Sequence, residues 1–215
     1  MCLAKLSLLL AAACGGQGAT QGSTSPAPDA HPLSALAAER VIVLPTYALS
    51  VSSDVAAAWR VDRPRELLRA LDADIAAALD DRGLRRGWVL PADLQASYTR
   101  NPTYATDPYA LAEAPLRSRA FVAGSRLGEP LASQLRTMIA LHENARLVLA
   151  PVELRVERVA ADSATGRPVL RVVLLDPRFA EARWVGEVRG DAANGLSPEV
   201  TTLLAKRLAN LITAP

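Results

Sequence analysis

The run Arg40-Val41-Ile42-Val43-Leu44-Pro45 constrains the fold more than any other stretch. Its four central side chains are all apolar, so a strand built from them has no face to give to water. Such a strand belongs inside a sheet that other elements cover on both sides. Pro45 then stops it, because proline cannot donate to a ladder. A chain that starts this way must supply apolar helix faces. Pro64 opens the first, where Leu67, Leu68, Leu71, Ile75, Ala78 and Leu79 recur at spacings of three and four. Asp72, Asp74, Asp80 and Arg82 read as lying off that stripe, on a solvated face, and Gly83 as its stop. Leu131, Leu135, Met138 and Ile139 make a second helix from near Pro130, with His142 at the end where a cation suits the helix dipole. Ser197-Pro198-Glu199 starts a third, with Val200, Leu203, Leu204, Leu208, Leu211 and Ile212 as its stripe.

The remaining regular segments predict strands. Gly87-Trp88-Val89-Leu90-Pro91 is a short one, followed by a helical turn over 92–96. Leu147-Val148-Leu149 is apolar throughout. Val152, Leu154 and Val156 then alternate with Glu153, Arg155 and Glu157. Val169 to Leu175 follows a turn at 161–167. After Asp176-Pro177-Arg178, Ala182, Trp184, Gly186 and Val188 alternate with Arg183, Val185, Glu187 and Arg189. Short turns between these strands predict an antiparallel meander. The expected fold is α/β with α+β character. A mixed sheet of about five strands ends in the meander and is flanked by three main helices. Half the residues are hydrophobic and only 4% are aromatic, so the core is Leu, Val and Ala. Ser97 to Gly128 does not follow either period. Pro102, Pro108 and Pro115 interrupt it, and Asp107-Pro108 is expected to start a short helix through Ala114. An irregular stretch of this length inside a domain is uncommon and often functional.

The amino terminus has its own logic. Lys5 precedes Leu6-Ser7-Leu8-Leu9-Leu10 and three alanines. An apolar run of about eight residues makes about 12 Å of helix, too short for a bilayer core of about 30 Å. It reads as a cleavable export signal. Ala11-Ala12-Ala13-Cys14 resembles the bacterial lipobox. That resemblance implies lipidation of Cys14, removal of residues 1–13, and anchoring by more than one acyl chain. Gly15 after the cysteine resembles the pattern that favours the outer membrane over retention at the inner one. Ala11 and Ala13 also fit an ordinary secretory cleavage site, which would leave Cys14 a free thiol. Residues 14–38, rich in Gly, Ser, Thr, Gln, Ala and Pro, read as a flexible tether, and 39–215 as a single globular domain. With Cys2 removed, no disulfide is possible within the mature chain.

The stretches "VIVLP", "GWVLPADL", "LVLAPVEL" and "VLRVVLLDPRFAEARWVGEV", with a final amphipathic helix, resemble the α/β domain of the TolB amino-terminal region and of CsgG-like envelope lipoproteins. The resemblance spans 39–215. It departs at the 97–128 insert and at Arg178-Phe179-Ala180. It implies protein–protein work at the bacterial envelope, with the domain facing the periplasm. It does not imply a pore, since extra amphipathic hairpins are not found.

Motifs for catalysis are scarce. The two histidines are His31, in the tether, and His142. No Gly-x-Ser-x-Gly elbow, phosphate-cradling glycine loop or zinc-ligand spacing occurs, and no cofactor or metal is expected. Gly83 to Gly87 carries Arg85 and Arg86 and reads as a solvated basic loop. The charge is +2 without a basic stripe among aromatics, so nucleic acid is not an expected partner. The insert carries Tyr98, Arg100, Asn101, Tyr104 and Tyr109, residue types enriched where proteins recognise one another. They are the candidate partner-binding residues, with pinning of the loop to its own scaffold as the competing role. The expectation is a non-enzymatic, lipid-anchored envelope protein that binds an envelope partner. The rivals are a small-molecule or glycan-binding lipoprotein and, behind it, a hydrolase.

Overall fold

The computed structural model describes residues 31–53, 55–56, 59–142, 145–159 and 165–213. The signal segment, Cys14 and most of the tether lie outside the described residues.

Ten elements follow one another. They are β1 (Val41–Val43), β2 (Ala48–Val51), α1 (Pro64–Asp80), β3 (Trp88–Val89), α2 (Pro91–Arg100), α3 (Leu131–Leu141), β4 (Leu147–Arg158), β5 (Gly166–Asp176), β6 (Glu181–Arg189) and α4 (Pro198–Asn210). The sheet runs β3-β1-β4-β5-β6. β1 is parallel to β3 and β4, and β4, β5 and β6 form the antiparallel meander. β2 pairs in parallel with the outer half of β4, Glu153 to Val156. β1 and β2 therefore lie end to end beside β4, joined by Leu44 to Tyr47. The expected mixed α/β fold is present. The described residues form six strands and four α-helices, where about five strands and three main helices were expected. The added strand is β2, whose four residues show no clear period. The added helix is α2, where Pro91 sits in the first turn and the Asp93 carboxylate accepts the Leu90 N–H at 2.9 Å.

The apolar run of β1 behaves as its composition demands. Val41 and Val43 enter one core with α1, α4, Leu149 and Leu170. Ile42 and Leu44 enter a second core with Leu94 of α2, Leu135 of α3, Val148 and Val173. Helices thus cover both faces of the sheet. Two bulges correct the simple alternation. Val152 is the extra residue where the β4–β5 register shifts, and Arg183 is the extra residue in β6. Val152 and Ala182 consequently belong to the second core, while Leu154 and Val188 belong to the first. A one-residue slip moves every later side chain to the opposite face.

The tether boundary also changes. Leu33 and Leu36 are 3% and 2% exposed and belong to the first core. Leu33 N–H donates to the Leu211 carbonyl at 2.9 Å, and His31 Nδ1 donates to the Asn210 carbonyl. Residues 31–38 are thus packed onto α4, including a 3-10 turn at Ser34–Ala38. Two leucines three apart were enough to dock a stretch otherwise composed like a linker. Gly83 closes α1 with φ +73°, a left-handed conformation that costs glycine little.

Gly166 sits where β5 passes under Trp59. A Cβ there would lie 2.6 Å from Val156 Cγ1 and 2.8 Å from Trp59 Cε2. Gly166→Ala is expected to destabilise by about 1–3 kcal/mol through overpacking, read as a lower urea midpoint with an unchanged slope.

Candidate functional site

The insert is ordered by named contacts. Leu111, Leu116, Phe121 and Leu127 fill the second core. Gly124 N–H donates to Ala182, Ala182 N–H to Ser125, and Leu127 N–H to Ala180, so the insert extends the start of β6. Arg171 of β5, 6% exposed, reaches across from the sheet. Its Nε donates to the Leu116 carbonyl at 3.0 Å, and one terminal nitrogen donates to Ser118 and Phe121 at 2.9 and 2.7 Å. One planar side chain donates to three loop carbonyls; that of Ser118 also accepts the Phe121 N–H at 3.0 Å. Asp107 does not start a helix. Its carboxylate accepts the Tyr109 N–H at 2.9 Å, a local bond that competes with helical geometry, and the only short helix nearby among the described residues is a 3-10 turn at Ala114–Arg117.

The proposed partner-binding residues do not form one cluster. Tyr98 and Arg100 lie on α2 rather than in a loop, and Asn101 caps its end. Tyr98 is half-buried, and Arg100 Nε turns back to the Ala96 carbonyl. Tyr104 stands outward at 75% exposure, on a turn in which the Asn101 carbonyl accepts the Tyr104 and Ala105 amides. Tyr109 lines two cavities. The loop-pinning tyrosine is Tyr47, which sequence reasoning passed over. Its hydroxyl donates to the Pro108 carbonyl at 2.8 Å. Burial, then Glu113 and Asp72, push it well above its ordinary value, so it stays protonated.

Asp72 is the main correction to the sequence reading. It is 6% exposed, not on a solvated face. It lies four residues after Leu68 and three before Ile75, both buried, and so occupies a stripe position. That spacing was the available signal. Its Oδ1 accepts both the backbone N–H and the hydroxyl of Thr46, each at 2.8 Å. Its Oδ2 is buried without a hydrogen-bond partner. Burial raises the carboxyl to about 7, against the lowering effect of the Thr46 bonds. Asp74 is half-buried and accepts the Thr201 hydroxyl of α4 at 2.7 Å, while Asp80 and Asp81 are exposed as expected.

Two cavities meet at Asp72. One, of ≈ 330 Å³, extends along α1 to Arg85 and Pro91. The other, of ≈ 340 Å³, extends to Thr46, Tyr47 and Arg65. Arg69, Asp72 and Tyr109 line both and form the wall between them. The Arg69 guanidinium lies over the Tyr109 ring, 5.8 Å from its centre. The site sits where parallel strands β1 and β3 end, at Thr46 and Pro91. The carboxyl edge of an α/β sheet is the usual place for a ligand. Arg85, read as part of a solvated basic loop, is held by both oxygens of Asp93 at 2.6 and 3.0 Å. His142 is half-buried, and burial lowers its imidazole below the ordinary value despite Asp93, so it is not the cation expected at the end of α3. Among the described residues, no group of three His, Cys, Asp or Glu is placed to hold a metal ion.

No family model matches the chain, and no curated protein matches it. Solved structures resemble it at low identity. A variant of the PelC dodecamer from Paraburkholderia phytofirmans is 12% identical with a TM-score of 0.39, over 82% of this chain and 91% of that one. Lipoprotein GNA1162 from Neisseria meningitidis is 14% identical with a TM-score of 0.40, over 80% of this chain and 96% of that one. The hypothetical protein CT253 from Chlamydia trachomatis is 16% identical with a TM-score of 0.30, over 72% of this chain and 74% of that one.

Proposed function

We propose that this chain is a lipid-anchored bacterial envelope protein that works through protein contacts and not through catalysis. The lipid is attached at Cys14, and the domain faces the periplasm from the outer membrane. The observation that carries the contact role is Tyr104, a large aromatic side chain held outward on a hydrogen-bonded turn. An aromatic anchor with a fixed backbone loses little entropy on docking. The anchoring rests on the sequence from Leu6 to Cys14 and on its resemblance to the lipobox. The kind of work, assembly or accessory contact, rests on the resemblance to TolB-type and CsgG-like domains. Among the described residues, no helix is long and apolar enough to cross a membrane.

The test has two arms. Intact-mass measurement of the protein from its native envelope is expected to find a mature chain starting at a diacylglycerol-modified Cys14; Met1 retained, or a free thiol at residue 14, refutes the anchor. Crosslinking from those envelopes is expected to capture one discrete partner. Tyr104→Ala with Arg100→Ala is expected to reduce that capture about tenfold or more while leaving the melting temperature unchanged, because both side chains are exposed. Undiminished capture removes this surface from the contact.

A further inference from the structure

The Tyr104 surface does not account for the paired cavities or for the orphan oxygen between them. Asp72 Oδ2 is a buried acceptor without a donor. A native fold rarely leaves such an atom unsatisfied without a use for it. Asparagine or leucine would fill a stripe position on α1 without the burden of a buried acid. The groups around it narrow the chemistry of what could pair with it. Arg69 lines both cavities, Arg65 one and Arg85 the other, which disfavours a cation. Asp72 itself, with Asp80 further along, disfavours an anion. A neutral hydroxyl suits Oδ2 in either protonation state, since it can donate to a carboxylate and accept from a carboxylic acid. The Tyr109 ring offers a flat apolar face beside these polar groups. Each cavity is within the range of small-molecule sites, about 300–1,000 Å³.

We propose that the two cavities flanking Asp72 form a binding site for a neutral polyhydroxylated ligand, a sugar ring, whose hydroxyls pair with Asp72 Oδ2 while its C–H face packs on Tyr109. Arg65 and Arg69 donate to the remaining ring oxygens. The Arg69–Tyr109 contact stands between the two cavities. Both side chains are exposed, and a cation–π contact at an exposed site is weak, so the ligand displaces it at small cost. The site is independent of the envelope contact proposed above and survives if that contact is disproved.

The full chain is titrated with cellobiose, N-acetylglucosamine and maltotriose as neutral probes, and with glucosamine and glucuronate as charged ones, by calorimetry and saturation-transfer NMR. At least one neutral probe is expected to bind with a Kd on the order of 1 mM or tighter. Asp72→Asn and Tyr109→Ala are each expected to weaken it about tenfold, and Tyr104→Ala to leave it unchanged. Arg65→Ala, at an exposed position, provides an independent reading should either of the first two variants fold poorly; it is expected to weaken binding severalfold. The proposal is overturned if no neutral probe binds at about 10 mM, a concentration well above that Kd. It is equally overturned if a charged probe binds best, or if binding is indifferent to the Asp72, Tyr109 and Arg65 substitutions.

Discussion

Arg171→Ala is expected to lower the free energy of unfolding by about 2–4 kcal/mol, the scale of leaving buried carbonyls without a donor beside a new cavity. The side chain spans from β5 to the insert and supplies the donors for the carbonyls of Leu116, Ser118 and Phe121. Alanine removes all of them at once and leaves a cavity where the guanidinium lay. The loss is expected to be local first. Amide exchange over residues 112–127 should accelerate before the sheet responds, since that segment depends on Arg171 and on a few apolar side chains. Arg171→Lys is expected to recover less than half of the stability, because an ammonium cannot reach three acceptors with the geometry of a planar fork. Urea titration with hydrogen exchange checks both variants. A loss under about 1 kcal/mol with unchanged exchange would mean that Leu116, Phe121 and Leu127 hold the insert without help.

Asp72→Asn is expected to do the opposite, and only at high pH. The carboxyl titrates at about 7 in the folded protein against 3.8 for the free group, because burial disfavours its charge. Between those two values the folded state keeps a proton that the unfolded state has released. Stability therefore falls as pH rises through this window, by about 1.4 kcal/mol per pH unit from this group alone. Below the lower value the two states are equally protonated and the group costs nothing. Above about 7 both are ionised and the deficit is complete, about 4 kcal/mol at most. Asparagine does not titrate, and its carbonyl oxygen still accepts from Thr46. The variant should thus match the parent near pH 4 and exceed it by about 2–4 kcal/mol at pH 8. Thermal unfolding of both proteins across that range measures the difference. Tyr47 and Tyr109, the phenols that face Asp72, remain protonated throughout and do not confuse the comparison. A gain in stability joined to a loss of sugar binding would mark Asp72 as retained for use and not for folding. A gain that does not vary with pH would contradict the placement of an ionisable group in that pocket.

The legible parts of the fold were those set by local periodicity. The run from Val41 to Leu44 implied a strand covered on both faces, and it is. The stripes of α1, α3 and α4 and the order of the meander followed from spacings of three, four and two. The misreadings have two causes. Alternation groups Val152 with Leu154, and Ala182 with Val188, because a bulge leaves no mark on composition, yet inverts every position after it. Asp72 was set aside as solvated because acids usually are, although its distance from Leu68 and Ile75 placed it on the buried stripe. The candidate site was less legible than the fold. Of the five residues singled out, Tyr109 lines the cavities and Tyr104 is freely presented, while Thr46, Tyr47 and Arg69 carry no sequence signal and Asp72 reads as an acid on a solvated face. Thr46 and Asp72 lie 26 positions apart, and no local pattern links them.

The sequence by itself determined the class of architecture. Side-chain periodicity decides which face of each helix or strand must be hidden, and hiding those faces leaves few arrangements. Only the tertiary structure decided that Leu33 and Leu36 join the core, which bulges redirect the strands, and which acid is deprived of water. Those outcomes depend on contacts between residues far apart in the chain, and burial, unlike periodicity, has no local signature.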